Sequence, residues 1–319
     1  MAESLENKIY DGDHVMRTEI DGDATVYRMR DASGEGAMTH FHVLPGIDLI
    51  YNDFHMQRCC SRFRPRIDMI GIDHCREGRI EWGLENGSYV YLQEGDLQIT
   101  TKQQHAQEFG FPLNHYHGIT VALFVAEAEK TLAGIWDGIP VDLSALRDKF
   151  CTGSRPFIMR AADSVKHIFS ELYAVPESIR IPFFRIKVLE LLLFLSVVPV
   201  PEGGEERQYF SKRHVQAVKS MMHFVTKNVE HHYTLEELSR RFHIPLTSMK
   251  NCFRGVFGTS VYAYMRTYRM QTAAFRLRQT HESITDIAAG LGYSNPSKFA
   301  AAFRDVMGVS PLKYRNTIV

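Results

Sequence analysis

The feature that most constrains the fold of this chain is a short segment that occurs twice, fifty residues apart. Phe253-Arg254-Gly255-Val256-Phe257-Gly258-Thr259-Ser260 returns as Phe303-Arg304-Asp305-Val306-Met307-Gly308-Val309-Ser310. Tyr264 and Tyr314 then follow at the same offset. Self-similarity at a fixed period marks one supersecondary unit used more than once. We therefore predict two equivalent units in the C-terminal third of the chain.

Each copy is preceded by a pattern typical of a helix, a tight turn and a second helix. Thr234 and Ser283 are predicted N-caps, because a hydroxyl there accepts a backbone N–H that the helix leaves free. The tight turns fall at His243 and Gly292. Glycine is the usual residue where φ is positive, and histidine is one of the better substitutes. The turn of the second unit is predicted to be one residue longer. The two helix-turn-helix units span about 234–258 and 283–308.

The second helix of each unit, about 246–257 and 297–307, is predicted to have one apolar and one polar face. The apolar face packs on the preceding helix and leaves the polar face free for a major groove. Asparagine and lysine can hydrogen-bond base edges, and lysine and arginine can hold phosphates. The polar positions are Thr247, Ser248, Lys250, Asn251 and Arg254 in the first unit, and Ser297, Lys298, Ala301 and Arg304 in the second.

Charge supports this interpretation. The whole chain has a net charge of zero, but residues 211–319 hold 16 lysines and arginines against 6 acidic residues, a net charge of +10. A basic domain of this size attracts a polyanion. Between the units, Ser260–Gln279 would span roughly 30 Å as a helix, close to the roughly 34 Å of one DNA turn. Two recognition helices on such a rod could enter successive major grooves.

These residues resemble the AraC/XylS family of bacterial transcription regulators. The hallmark positions, in order, are Ile287-Ala288, Gly292-Tyr293-Ser294, Phe299, Phe303-Arg304, Gly308, Ser310-Pro311 and Tyr314-Arg315. The resemblance covers about 211–316 and implies a seven-helix all-α domain over 211–319, with its first helix at about 212–231. It also implies that positions 247, 248, 250, 251, 296–298 and 301 face DNA, which adds Pro296. Ala301 offers no hydrogen bond, so the second unit is expected to discriminate bases less sharply.

The remainder of the chain reads as a second, mixed domain over 1–198. Short strands separated by turn signals extend from about Gly46 to Glu127, and helical spacing follows from about 142 to 198. Residues 199–210, which include Pro-Val-Pro-Glu-Gly-Gly, are predicted to be a linker. The family resemblance implies a cupin-like β-barrel at about 40–130 with appended helices that dimerise. The predicted class is therefore α+β, and a barrel mouth could hold a small effector.

Three clusters in this region keep more than one interpretation. His115 and His117, like His40 and His42, have the alternating spacing of metal-binding cupins, but no carboxylate follows, so polar histidines without a metal are favoured. Cys59 and Cys60 are either a redox sensor or unreactive thiols, since neither has a clear activating partner. Arg62, Arg64 and Arg66 either bind an anionic effector or form a solvated basic face.

The predicted function is a sequence-specific, effector-responsive transcription regulator without catalytic residues or cofactors. Its expected partners are double-stranded promoter DNA, a small-molecule effector and a second copy of the chain, with RNA polymerase as a further candidate. The apolar segment Phe183–Val198 is predicted to be a buried helix that also contributes to the dimer interface. The polar N-terminus and the lack of a membrane span favour the cytoplasm. The alternative function is a metal-dependent cupin enzyme fused to a DNA-binding domain.

Overall fold

A computed structural model describes residues 15–20, 24–60, 68–84, 87–101, 108–135, 141–151, 156–160, 163–200 and 210–316. The chain divides into two compact units, Met1–Tyr209 and Phe210–Val319. Arg62, Arg64, Arg66 and most of the predicted linker lie outside the described residues.

The first unit is built on antiparallel strands. They are β1 (Val15–Ile20), β2 (Ala24–Asp31), β3 (Gly34–Leu44), β4 (Ile47–Met56), β5 (Arg58–Cys60), β6 (Met69–Gly83), β7 (Ser88–Gln93), β8 (Leu97–Thr101), β9 (Glu108–Gly110), β10 (Tyr116–Phe124) and β11 (Phe157–Met159). The main order is β1-β2-β3-β4-β10-β6-β8-β11. The far end of β6 also pairs with β7 and β9, and β9 pairs with β5. This sheet and the helices after it confirm the α+β class.

The structure corrects three details of the strand prediction. Strands begin well before Gly46, since β2 and β3 form a long hairpin. The sequence of this segment is too polar and Gly-rich to predict strands. In place of two short strands, which the sequence predicts at about 67–75 and 79–85, the structure has one 15-residue strand, β6, whose first part pairs with β10 and β8 and whose last part pairs with β7 and β9. The last predicted strand ends at Phe124, where an unpredicted helix begins at Val125.

Four helices complete this unit: α1 (Val125–Ile135), α2 (Leu143–Phe150), α3 (Asp163–Leu172) and α4 (Arg180–Val197). The sequence predicts helices over Leu143–Phe150, Ser164–Val175 and Phe183–Val198, and the short strand β11 lies between the first two of them. The helices cover one face of the sheet. Phe184 of α4 packs edge-on against Phe41 of β3 with ring centroids 5.2 Å apart, and Ile119 of β10 is fully buried in the same cluster. Among the described residues, no helix combines the length and apolarity that crossing a membrane requires.

The opposite face of this sheet carries a row of polar side chains, of which Gln98 is buried and Asp73 and Thr120 are half-buried. Successive side chains along a strand point to opposite faces of the sheet. The residues before and after Asp73, Thr120 and Gln98 face the helices, so these three side chains face the other way. Asp73 pairs directly with Thr120 and with Gln98 in the strand register. The Thr120 hydroxyl donates to Asp73 Oδ1 at 2.7 Å and accepts from Asn52 Nδ2 at 2.9 Å. Burial raises the pKa of Asp73 to about 6, although hydrogen bonds from Thr120 and Gln98 oppose the rise.

Asp73→Asn is expected to stabilise the first unit at neutral pH. The pKa of Asp73 in the folded chain, about 6, lies above its ordinary 3.8, so the folded state loses stability as the pH rises from about 4 to about 6. Removing the charge should restore roughly 1–3 kcal/mol at pH 7 and flatten this decline. The buried Gln98 Oε1 has no partner in the described structure. If the Gln98 amide flips, this oxygen can accept a hydrogen bond from the amide N–H introduced at position 73.

Tryptophan fluorescence during urea unfolding measures this effect, since both tryptophans, Trp82 and Trp136, belong to the first unit. Glu35→Gln removes an exposed carboxylate from β3 and is the matched control. Equal pH slopes for wild type and Asp73→Asn would show that Asp73 is not the buried group that titrates.

The second unit is helical after the short strand β12 (Phe210–Ser211). Its helices are α5 (Lys212–Lys227), α6 (Leu235–Arg241), α7 (Leu246–Phe257), α8 (Val261–Gln279), α9 (Ile284–Gly290), α10 (Pro296–Met307) and α11 (Pro311–Asn316). The predicted pair of helix-turn-helix units corresponds to α6–α7 and α9–α10, with α8 between them. Four residues separate α6 from α7 and five separate α9 from α10, which confirms the longer second turn.

Candidate nucleic-acid interface

The first helix-turn-helix unit is set by a capping box and a strained turn. The Thr234 hydroxyl accepts from the Glu237 backbone N–H at 3.2 Å, and the Glu237 carboxylate accepts from the Thr234 N–H at 2.8 Å. The hydrogen bonds with the Thr234 backbone and hydroxyl hold the pKa of Glu237 below its ordinary value. His243 has φ 51°, which confirms the predicted left-handed turn, and buried Ile244 then leads into α7.

The second unit repeats this construction with different residues. Ser283 caps α9 by accepting from the Asp286 N–H at 3.0 Å. Gly292 takes the turn position with φ 81°, where a Cβ would lie 2.3 Å from the carbonyl oxygen of Glu230. Only glycine fits this turn, because both the backbone angle and the approach of the neighbouring chain exclude a side chain.

The two recognition helices, α7 and α10, bury equivalent faces. Phe253 and Phe303 are fully buried, as are Met249 and Phe299. The opposite faces are solvent-exposed at nearly all of the positions predicted to face DNA. Exposed positions are Thr247, Lys250, Asn251, Arg254, Pro296, Ser297, Lys298, Ala301 and Arg304, whereas Ser248 is half-buried. At the fifty-residue offset, Asn251 corresponds to Ala301 and Arg254 to Arg304.

The starts of the recognition helices differ. At α10, the Asn295 side chain accepts from the backbone N–H groups of Ser297 at 2.8 Å and Lys298 at 3.2 Å. At α7, the N-cap residue is Pro245, whose side chain makes no such hydrogen bond. The first N–H groups of α7 are therefore less occupied than those of α10, and free N–H groups at a helix start favour a phosphate.

The arginines of the connecting helix α8 mostly serve the fold. Arg269 is buried and donates to the carbonyl oxygens of Val229 at 2.9 Å and His231 at 3.0 Å. Arg276 pairs with Glu282, and Arg266 pairs with Asp305 of α10 at 2.6 Å. Burial lowers the pKa of Arg269. These three arginines, out of the sixteen cations counted in the sequence of this unit, are thus paired or buried within it.

The polar face of α10 borders an open cleft of about 810 Å³. The cleft is lined by Lys298, Ala301 and Arg304 from this helix and by Arg266 and the exposed Tyr262 from α8, among others. Sequence reasoning missed Tyr262, since an aromatic residue near a helix start usually indicates core packing. Its exposed fraction of 75% shows that it does not pack here.

The clusters of the first unit separate into distinct environments. His40 and His42 both contact the buried carboxylate of Asp48, at 3.0 and 2.8 Å, and so close the β3–β4 hairpin. Burial raises the pKa of Cys59 to about 12, which is the opposite of an activated thiolate. The redox interpretation of Cys59 therefore has no support, and Cys60 is exposed.

The rings of the other histidine pair lie edge to face with centroids 6.3 Å apart, but their polar contacts differ. The His115 Nδ1 lies 3.0 Å from the Leu113 carbonyl oxygen, whereas His117 contacts His55 and Asp53 on β4. The carboxylate that the sequence lacked after His117 thus comes from a strand more than sixty residues earlier. No local spacing signals such a pairing.

Comparisons with known proteins match the second unit, and one of them extends over most of the chain. A family profile described as a helix-turn-helix domain matches residues 238–317, entirely within the second unit. The HTH-type transcriptional regulator ExsA of Pseudomonas aeruginosa is 30% identical over 131 residues, 41% of this chain and 46% of that protein. The Msm operon regulatory protein of Streptococcus mutans is 21% identical over 278 residues, 84% of this chain and 97% of that protein.

Among solved structures, a probable AraC family transcriptional regulator from Rhodopseudomonas palustris is 26% identical, and the match covers 32% of this chain and 97% of that one with a TM-score of 0.30. The chain spans less than half the length of the first curated relatives that it matches, 12% of a Bacillus subtilis regulator and 46% of ExsA.

Proposed function

We propose that this protein is a sequence-specific, DNA-binding transcription regulator of the AraC/XylS type that reads two successive major grooves of promoter DNA. The observation that carries the proposal is the pair of equivalent recognition helices, α7 and α10. Each buries one aromatic face and presents a polar or basic face to solvent. A pair of such helices on one rod suits two grooves one turn apart.

A gel shift with the promoter upstream of its own gene tests the proposal. Full-length protein is expected to retard this fragment at low salt, with an affinity that falls steeply as salt rises, because phosphate contacts release counterions. Absence of retardation at low salt, for this promoter and for a random-sequence library, would remove DNA binding from the proposal.

Asn251→Ala is expected to relax sequence discrimination at one base position. The Asn251 amide is exposed on α7 and can make the paired hydrogen bonds that adenine accepts and donates. Loss of one such pair corresponds to roughly 1–3 kcal/mol of discrimination, while binding to random DNA should stay unchanged. Selection of binding sites from a random library measures both quantities.

Gln271→Ala removes an exposed amide from α8 and serves as the control. If Asn251→Ala weakens binding to specific and to random DNA equally, Asn251 contacts the DNA backbone rather than a base.

The helices of the second unit together would form the seven-helix domain of this family, and Ala301 would make the second reading face weaker than the first. In the first unit, the sheet would close into a cupin-like barrel whose polar row, centred on Asp73, faces the interior and contacts a small effector. The effector would favour one of two arrangements of the chain by binding it more tightly, and the protein would act in the cytoplasm.

A stripe of exposed apolar side chains supports the dimer. Ile186, Leu193 and Val197 lie on one side of α4, opposite its buried Phe184 and Leu191, and Ile186 and Val197 are 62% and 73% exposed. The steps of seven and four residues keep them on one helix face. We assign this stripe to contact with the same helix of a second copy, which would let the protein read two sites. The relatives named above are regulators, so the alternative of a cupin enzyme gains no support from them.

A further inference from the structure

We propose that Asp53, His55 and His117 form a binding site for one divalent transition-metal ion, such as Zn²⁺, on the sheet of the first unit. Their potential ligand atoms all lie within 4.8 Å of one another. Two imidazole nitrogens and a carboxylate oxygen are ligands that Zn²⁺ and related ions accept. The inference is independent of DNA binding by the other unit.

The strand register positions the three side chains. His117 of β10 stands directly opposite Asp53 of β4, and His55 lies two residues further along β4 on the same face. This face is the one covered by helices nearer its middle, where Tyr51 packs against Phe184. The three residues therefore occupy the uncovered end of a rigid, paired surface, which fixes their backbones before any ion arrives.

The separations of the ligand atoms match those around a single ion. Asp53 Oδ1 lies 3.0 Å from His55 Nε2 and 2.9 Å from His117 Nε2, and the two nitrogens are 3.3 Å apart. An ion at roughly 2.0–2.1 Å from each ligand would hold them about 2.9–3.4 Å apart in tetrahedral or octahedral geometry.

Hydrogen bonding alone does not account for this triangle. If both nitrogens donate to Asp53 Oδ1, their own contact places two N–H groups against each other. If one nitrogen instead accepts from the other, its lone pair faces the carboxylate oxygen. A cation resolves the conflict, because all three atoms then direct lone pairs to a common point.

A neighbouring carboxylate completes the arrangement. Glu77 stands opposite His117 on β6, and its Oε2 lies 3.7 Å from His117 Nδ1, the nitrogen that does not face the triangle. At this distance Glu77 does not hydrogen-bond the imidazole, but its negative charge favours a cation at the neighbouring triangle. Asp53 and His55 are more than half exposed, so the ion would keep open positions for water and would exchange readily.

Isothermal titration of tag-free, chelator-treated full-length protein with Zn²⁺ tests the proposal, and Co²⁺ absorption reports the coordination geometry. We expect one saturable equivalent in the wild type. Asp53→Asn and His117→Ala are each expected to weaken it at least tenfold. His115→Ala, which removes an adjacent imidazole outside the triangle, should leave it unchanged.

Circular dichroism of each variant checks that the fold is intact. We expect it to be, because these side chains are at least partly exposed. Absence of saturable Zn²⁺ binding at 100-fold excess would overturn the site. Equal binding by wild type, Asp53→Asn and His117→Ala would also overturn it, since the ion would then be held adventitiously by other surface histidines.

Discussion

Replacing Arg254 and Arg304 together with alanine is expected to weaken binding of the full-length protein to every DNA sequence, by roughly 60-fold at 0.1 M salt. The two arginines occupy equivalent, exposed positions on α7 and α10. Each phosphate contact contributes about 0.9 to the slope of log affinity against log salt concentration, which is about eightfold at 0.1 M salt. The double variant should therefore lose about 1.8 from that slope.

A control variant with the same change in net charge separates the effect of the phosphate contacts from that of overall charge. Lys130→Ala with Lys166→Ala removes two exposed cations from the first unit. This control should bind DNA as the wild type does, since neither lysine belongs to the unit that carries the two helix-turn-helix motifs. Fluorescence anisotropy across a salt series measures both proteins. If the salt slope of the arginine variant equals that of the wild type, these arginines do not hold phosphates.

Gly292→Ala is expected to lower the stability of the second unit by more than about 2 kcal/mol. Alanine at φ 81° costs roughly 1–2 kcal/mol on conformational grounds. The added Cβ would also lie 2.3 Å from the Glu230 carbonyl oxygen. Because this is a backbone atom, it cannot move away by a side-chain rotation. For a domain of about 100 residues, this corresponds to a fall in Tm of roughly 10 °C.

The first helix-turn-helix unit supplies a matched control within the same molecule. His243 occupies the equivalent turn at φ 51°, so His243→Gly should be neutral or slightly stabilising. Far-UV circular dichroism follows the helices of both units, most of which belong to the second, while tryptophan fluorescence reports only the first unit. A fluorescence transition unchanged by Gly292→Ala localises the effect. Loss of less than 0.5 kcal/mol would mean that the turn relaxes more easily than this backbone approach implies.

The second unit was largely predictable because its signals are local. N-cap hydroxyls at Thr234 and Ser283, positive-φ turns at His243 and Gly292, and the repeat itself each act over a few residues. The sequence could not predict which residues of this unit contact one another. Arg269 reads as one more cation on a basic helix, yet it is buried on the carbonyls of residues forty positions earlier.

The first unit was less predictable because its chemistry depends on strand pairing. The hairpin of β2 and β3 lies in a polar segment without clear alternation, which predicts no strand. Asp53 carries no signal until β4 is placed beside β10, which brings it opposite His117. Helices α2 to α4 were close to their predicted positions, since their apolar spacing depends on the local chain alone.

The connecting helix α8 has a further consequence for the DNA that such a protein can recognise. Its 19 residues contact both helix-turn-helix units, and its rise of 1.5 Å and turn of 100° per residue fix their separation and angular phase together. A flexible tether would tolerate half-sites at several spacings. A continuous helix selects one spacing, and an operator with a few extra base pairs would present its second half on the wrong side of the duplex. Spacing is then encoded in the length of one helix, separately from the side chains that read the bases.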